Sequence, residues 1–295
     1  MPRAAGARQS YATAVFAAPA AERRLAASET AAIVGIMARL SKLSRSVEGR
    51  VTIITGAASG MGRATAFVFA DEGAHVALVD RTADELAAVT GEITAAGGTA
   101  RGYTADLADG VSIPDLVSRI RADMGPIDIL INNAGISVGA PIDHDQWEKA
   151  WELTFAVNLT AQARLIRACA ADLARNRDGR IVNIASTEGW GATAGASPYT
   201  AAKHGVIGLT RSMAVELGPR GINVNCVCPG PIRTGMTAAI PDEAKSKFAH
   251  RRVPLRRYGE PEEVAHATLS LSLPAASFIN GAALVVDGGM LVRNA

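Results

Sequence analysis

From Val47 onward, short β-branched runs alternate with longer stretches of helical period. Seven runs have strand character: Val51 to Thr55, His75 to Val79, Thr99 to Tyr103, Ile127 to Ile131, Arg180 to Ile184, Ile222 to Val227 and Ala283 to Val286. Between them lie amphipathic stretches such as Gly62 to Asp71, Asp84 to Ala96, Gln146 to Asn176, Pro198 to Leu217 and Pro261 to Leu271. Strands alternating with helices, spaced for right-handed crossovers, predict repeated βαβ units on one parallel sheet. The expected fold class is therefore α/β: a single doubly wound domain over residues 47–295, with a seven-stranded parallel sheet flanked by helices. Residues 1–46 are Ala-rich, bear scattered Arg, Ser and Thr, and lack this pattern. They are expected to form an N-terminal extension, disordered or arising from a mis-assigned start with Met37 as an internal one, in preference to a transit peptide.

Composition narrows the function classes. Of 295 residues, 48% are hydrophobic and 20% charged, far from the charged, apolar-poor signature of disorder. The net charge of +2 is uneven: residues 1–49 hold seven Arg and Lys against three Glu, leaving 23 basic against 25 acidic residues, or −2, for the rest. Such a body, with only 4% aromatics, offers no basic stacking surface, so no nucleic-acid partner is expected. The longest apolar stretch near the N-terminus, Ala31 to Met37, falls far short of the ~20 residues a spanning helix needs, so no membrane partner is expected either. Cys169, Cys226 and Cys228 are odd in number and lack metal-ligand spacing. They read as buried small residues in a reduced, cytoplasmic setting, with no metal site.

Two sequence features carry chemistry. The first strand ends in Thr55-Gly-Ala-Ala-Ser-Gly-Met-Gly62, so Gly56, Gly60 and Gly62, with Ser59 and Met61 between them, form a turn before a helix. Glycines let backbone approach a pyrophosphate, and the helix start presents free N–H groups to the anion. The next strand ends at Asp80, 18 residues past Gly62, where a carboxylate can bind ribose hydroxyls. That carboxylate would repel the 2′-phosphate of NADP, so NAD is the expected cofactor, with Arg81 and Arg63 as nearby cations working the other way.

The second feature is Tyr199 and Lys203, four residues apart at the start of a predicted helix and hence on one face. A neighbouring ammonium, helped by a positive nicotinamide, is expected to lower the phenol pKa by roughly 1–3 units, making Tyr199 a general acid or base. Ser186, just past the fifth strand, and Asn132-Asn-Ala-Gly135, after the fourth, fall at the carboxyl edge of the sheet, where open α/β folds place ligands. Asn158 lies in the long helical segment that follows.

With these markers in order, the chain from Val47 to its end resembles the short-chain dehydrogenase/reductase family, whose 13-residue interval from the serine to the tyrosine is matched by Ser186 and Tyr199. The resemblance implies a Rossmann-type domain in which Asn158, Ser186, Tyr199 and Lys203 are catalytic. Tyr199 would exchange the alcohol proton, Ser186 hold the reacting oxygen, Lys203 hold the nicotinamide ribose and Asn158 anchor a water relay. It further implies that Asp106 and Leu107 meet the adenine, that Asn133, Ala134 and Gly135 border the cofactor, and that Pro229, Gly230, Ile232 and Thr234 line the nicotinamide side. Val286-Asp-Gly-Gly289 completes the markers.

The implied activity is hydride transfer between NAD(H) and a secondary alcohol or ketone, a small-molecule substrate, by a homotetramer. Beyond Ser186 and Tyr199, the expected substrate residues are Glu188, Trp190 and Met236. Gly235 to Leu255 would enclose the substrate, its cations Lys245, Lys247, His250, Arg251 and Arg252 reading mainly as a solvated face. Two rival readings stay open: a 3-oxoacyl-[acyl-carrier-protein] reductase using NADPH, and a non-catalytic dinucleotide-binding sensor.

Overall fold

All five residues of β1 (Val51–Thr55) are buried, because helices cover both of its faces and apolar residues are needed on each. Ile54 packs with Phe69 and Val264 on one side, while Ile53 packs with Leu116 and Leu165 on the other. The computed structural model describes residues 41–293, and the unit containing β1 begins at Leu43. Ser44 O accepts the Ala275 N–H at 2.8 Å, and Val47 is fully buried, so this unit engages the chain from just before residue 47. The extension proposed over residues 1–46 falls mostly outside the described residues.

Six further strands follow: β2 (His75–Asp80), β3 (Thr99–Thr104), β4 (Ile129–Asn132), β5 (Gly179–Ile184), β6 (Ile222–Pro229) and β7 (Ala283–Val286). They form one sheet in the order β3-β2-β1-β4-β5-β6-β7, every pair parallel, which is the expected seven-stranded architecture. On the Ile54 side lie α1 (Gly60–Asp71), α2 (Ala83–Ala95) and, later in the chain, Pro261–Ser272. On the Ile53 side lie α3 (Ile113–Met124) and the segment Ala161–Ala174. Strand order reverses between β1 and β4, which pair Thr52 with Ile129 and Ile54 with Ile131. Connections leave these two strands in opposite directions and open a crevice at their carboxyl ends.

The segment expected as one helix from Gln146 to Asn176 is divided. α4 (Trp147–Phe155) passes into a π turn over Ala156–Thr160 before α5 (Ala161–Ala174) resumes. The Ala161 N–H bonds the Ala156 carbonyl five residues back, widening the helix where Asn158 is fully buried. α6 (Ser197–Leu217) carries Tyr199 and Lys203, and α7 (Gly235–Ala238), α8 (Asp242–Arg252) and α9 (Pro261–Ser272) follow β6. β4 starts at Ile129 rather than Ile127, because the Ile127 N–H donates to Asp172 and its carbonyl accepts from Arg175.

Candidate active site

The glycine turn is shaped by space as well as by backbone angle. Gly56 has φ +67°, and a Cβ there would lie 2.9 Å from Ala134 Cα. At Gly62 a Cβ would fall 1.9 Å from the Gly56 carbonyl oxygen, so only glycine lets α1 start this close to β1. Thr55 ties the turn across the strand reversal: its Oγ1 accepts the N–H groups of Asn133 and Ala134, both at 3.0 Å. Asn133 Nδ2 donates back to the Thr55 carbonyl at 2.8 Å.

A cavity of about 330 Å³ runs along this edge of the sheet. Gly56, Ser59, Gly60, Met61 and Gly62 line it at one end, and Asp80, Arg81, Asp106 and Leu107 line the branch beside β2 and β3. Asn133, Ala134, Gly135, Tyr199, Lys203, Thr234 and Met236 line the rest. These sequence-predicted residues, drawn from six separate stretches of chain, are brought together. A larger groove of about 780 Å³, between α1 and the α7–α9 region, touches Gly60 and Thr234 but none of Asn158, Ser186, Tyr199 and Lys203.

The cavity fits a dinucleotide by the chemistry of its donors and acceptors. Ser59 leaves the start of α1 without a side-chain cap, so the first N–H groups of that helix are available to a pyrophosphate. Gly60 faces Thr234, whose side chain a Cβ would meet at 3.3 Å, so the cradle is open only because residue 60 has no side chain. At the far end, Asp80 Oδ1 accepts from Arg81 N, Thr82 N and Thr82 Oγ1, and Oδ2 accepts from Ala58 N at 3.1 Å. The carboxylate is thereby fixed beside the cradle. Arg63 turns away to Glu92 at 2.6 Å and lies over Phe67, so among the described residues Arg81 is the cation left beside Asp80 in the cavity.

Ser186 lies just past the end of β5 and outside the cavity lining, and its Oγ accepts the Glu188 N–H at 3.1 Å. Lys203, almost fully buried, donates Nζ to the Ile184 carbonyl at 2.7 Å and sits 5.5 Å from the Tyr199 ring centre. Burial pushes the Lys203 ammonium down to about 8, opposed by the neighbouring Cys228 and Cys226 thiols. Tyr199 corrects the sequence expectation: its phenol is pushed up. Burial is the main cause, hydrogen bonding from Ser186 pulls the other way and the Glu188 carboxylate adds to the rise. The spacing argument counted the charge of Lys203 and left out desolvation, while Lys203 itself bonds to β5 rather than to the phenol.

Other expected residues stand apart from the cavity lining. Asn158 lies behind it, bonded to the backbone of Ile136. Pro229 and Gly230 end β6 against Asp287, and Ile232 is buried in the core and bridges to Gly259, so these three do not line the cavity. Neither does Trp190, which is half exposed under Arg211, nor Glu188, whose carboxylate takes the hydroxyls of Thr193 and Thr200. Of the cationic segment, Lys245 is buried and reaches Asp242 at 3.4 Å, while Lys247, His250, Arg251 and Arg252 face solvent. Sequence reasoning missed Val79, Thr82, Ala105, Ile136, Val157, Ile184 and Ala185, which line the cavity, while Thr55, the head of the glycine motif, clamps it. Val157 was findable as the neighbour of Asn158; the others carry no chemical signal. Among the described residues no cluster could hold a metal, and Cys169, Cys226 and Cys228 are free and buried.

Residues 56–291 match the family model described as enoyl-(acyl carrier protein) reductase. The chain is 40% identical over 243 residues to the (2S)-[(R)-hydroxy(phenyl)methyl]succinyl-CoA dehydrogenase subunit BbsD of Thauera aromatica, covering 82% of this chain and 97% of that one. It is 37% identical over 246 residues to the 3-oxoacyl-[acyl-carrier-protein] reductase FabG of Thermotoga maritima, covering 83% and 99%. Among solved structures, a candidate NAD(P)-dependent gluconate 5-dehydrogenase from Beutenbergia cavernae, with NADP bound at low occupancy, superposes with a TM-score of 0.80 at 37% identity, covering 84% of this chain and 99% of that one.

Proposed function

From the premise that this chain belongs to the short-chain dehydrogenase/reductase family, NAD(P)-dependent oxidoreductases of CH–OH groups, we propose that it works with NAD(H) on a secondary alcohol or its ketone, with Tyr199 exchanging the hydroxyl proton. The observation that carries this reading is the meeting of Tyr199 and Lys203 with the glycine turn and Asp80 in one cavity. The nicotinamide, when bound, supplies the hydride acceptor or donor. The chain's own residues do the rest. Gly60, Met61 and Gly62 meet the pyrophosphate, Asp80 accepts ribose hydroxyls, and Asp106 and Leu107 border the adenine.

Ser186 accepts the Glu188 N–H and directs its own proton at the Tyr199 phenol, so its hydroxyl stands beside the group that exchanges the substrate proton. Tyr199 holds its proton at ordinary pH and gives it to the forming alkoxide, or takes one in the oxidative direction. Lys203 keeps a cation within 6 Å of that ring, which favours the phenolate left behind. Asn158 acts on the site through the backbone of Ile136.

Asp80 supports NAD over NADP, because a 2′-phosphate would face a fixed carboxylate with, among the described residues, Arg81 as the one nearby cation. A second reading, reduction of a 3-oxoacyl thioester with NADPH, is favoured by the likeness to the Thermotoga reductase and opposed by Asp80. We also assign the working form as a cytoplasmic homotetramer. Exposed apolar side chains on α4 and α6, Leu153 and Val215, and late in the chain, Phe278 and Val292, support the assembly. No described helix is long and apolar enough to cross a membrane.

The test follows reduced-cofactor absorbance with NAD or NADP against secondary alcohols, cyclic diols and hydroxyacyl thioesters, alongside Tyr199→Phe. Turnover with NAD that is lost in the variant is expected. Turnover that survives Tyr199→Phe would sink the proton assignment, and preference for NADP(H) with a thioester would favour the second reading.

A further inference from the structure

Tyr199 stands in the first turn of a helix that has no side-chain cap of its own. α6 starts at Ser197 after Ala196, and the methyl group of an alanine cannot accept the free N–H groups of that turn. Two ties from other elements hold the turn instead. The Trp147 indole Nε1–H of α4 donates to Ser197 Oγ at 3.1 Å, and Thr200 Oγ1 donates to the Glu188 carboxylate at 2.8 Å. They bracket Tyr199, two residues before it and one after, and leave its ring to the cavity. The Trp147 ring is itself held. It packs on Trp151 with ring centres 5.1 Å apart, and Trp151 stacks on Phe155 at 4.5 Å, where α4 passes into the π turn. The loop before α4 meets the loop before α6 once more, where the Ala140 N–H donates to the Gly195 carbonyl at 2.9 Å. Neither Trp147 nor Ser197 lines the cavity.

We propose that Trp147 is a positioning residue for Tyr199: its indole N–H, aimed by the aromatic ladder of α4, fixes Ser197 and so sets where the first turn of α6 carries the phenol. This inference rests on Tyr199 as the proton-exchanging group. Proton transfer needs the phenol within about 3 Å of the substrate oxygen, and a misplacement of about 1 Å can cost on the order of a hundredfold in rate. The Thr200 tie does not secure this alone. It falls after Tyr199 and comes from the Ser186 side, so the turn can still pivot about it; a second tie at Ser197 fixes the direction as well. The ladder accounts for the residue type. A phenylalanine at 147 would fill the same rung but has no N–H to give. At its other end the ladder reaches the π turn, where Val157 lines the cavity, so α4 joins two parts of the lining that lie far apart in the sequence.

The test needs no substrate. The full chain is labelled with fluorotyrosine, NADH is added, and the fluorine NMR line of Tyr199 is identified by its loss in Tyr199→Phe. Tyr103 and Tyr258 serve as internal controls. Trp147→Phe keeps the rung and loses the donor, so the Tyr199 line should shift and broaden or split while the two control lines stay in place. Ser197→Ala should do the same, and the double variant should do no more than either single one, because both remove one bond. Ser197→Thr keeps a hydroxyl acceptor and should retain the wild-type line. On any alcohol that the wild type oxidises, Trp147→Phe should lower kcat at least about tenfold with KM for NAD changed less than about twofold. A Tyr199 line in Trp147→Phe that matches wild type overturns the proposal. So does a disturbance that reaches Tyr103 and Tyr258 equally, which would make Trp147 a support of the fold at large, and so does a double variant whose effect is the sum of the two. Failure of the proton-exchange reading would show separately, as turnover that survives Tyr199→Phe.

Discussion

Asn158 grips Ile136 by both of its backbone groups: the Ile136 N–H donates to Oδ1 and the amide Nδ2 donates to the Ile136 carbonyl, each at 2.8 Å. Ile136 follows the Asn132 to Gly135 segment and lines the cavity, so this clamp fixes one cavity wall to the π turn. Asn158→Ala would bury two backbone groups without partners, at about 1–3 kcal/mol each. Unfolding in urea should show a loss on the order of 2–4 kcal/mol, with turnover falling as well. Asn158→Asp keeps the acceptor and loses the donor, and a stability equal to wild type in that variant would show that the Ile136 carbonyl does not need it.

Lys203 gives a pH signature. Its folded pKa of about 8 lies below the ordinary 10.5, so between these values the unfolded chain binds more protons and stability rises with pH. Below about 8 the ammonium is charged in both states and the burial cost is fully present. Lys203→Met removes that cost along with the cation proposed to act on Tyr199. The variant should be inactive yet no less stable at pH 7, and its advantage over wild type should shrink between about pH 8 and 10.5, by up to roughly 3 kcal/mol. Parallel denaturation curves over that range check the slope, and a flat difference would place Lys203 in a hydrated setting.

Glycines in this chain separate into those that need to be glycine and those that do not. Gly62→Ala would drive a Cβ into the Gly56 carbonyl, so α1 must lift from β1. We expect a loss of about 1–3 kcal/mol and at least roughly tenfold weaker NAD binding by fluorescence titration. Gly91, exposed in α2, meets nothing within 4 Å of a new Cβ. Gly91→Ala should therefore stabilise by about 0.5–1 kcal/mol in the same assay.

Asp80→Ala should lower the ratio of kcat/KM for NAD to that for NADP by at least about tenfold, since the fixed charge facing a 2′-phosphate is gone. Paired assays with both cofactors decide it. An unchanged ratio would move cofactor choice to Arg81 or elsewhere.

The sheet was legible because parallel strands covered on both faces read as short runs such as Val51-Thr-Ile-Ile-Thr55 and Ile129-Leu-Ile-Asn132. The glycine turn and the Tyr199/Lys203 pair were legible because their spacing has a chemical use. α3 lies outside the amphipathic stretches named from the sequence, although its buried positions 113, 116, 117 and 120 carry the helical period. The π turn was hidden for a different reason: apolar spacing in Gln146 to Asn176 looks continuous, and only the backbone shows the bond five residues back. Charge effects were the least legible. Whether Lys203 bonds a tyrosine or a carbonyl, and whether Glu188 faces the substrate or two threonines, depends on contacts between segments far apart in the sequence or on loop geometry.

The π turn also sets the phase of everything after it. Its wider ring takes in one residue more than an α-helical turn, so α5 keeps nearly the phase that an uninterrupted helix one residue shorter would give it. Leu165, Ile166, Cys169 and Leu173 stay packed on the sheet while the extra residue is absorbed beside the buried Asn158. A single-residue deletion here would close the turn to a regular helix, a loss felt by the site before it is felt by the core.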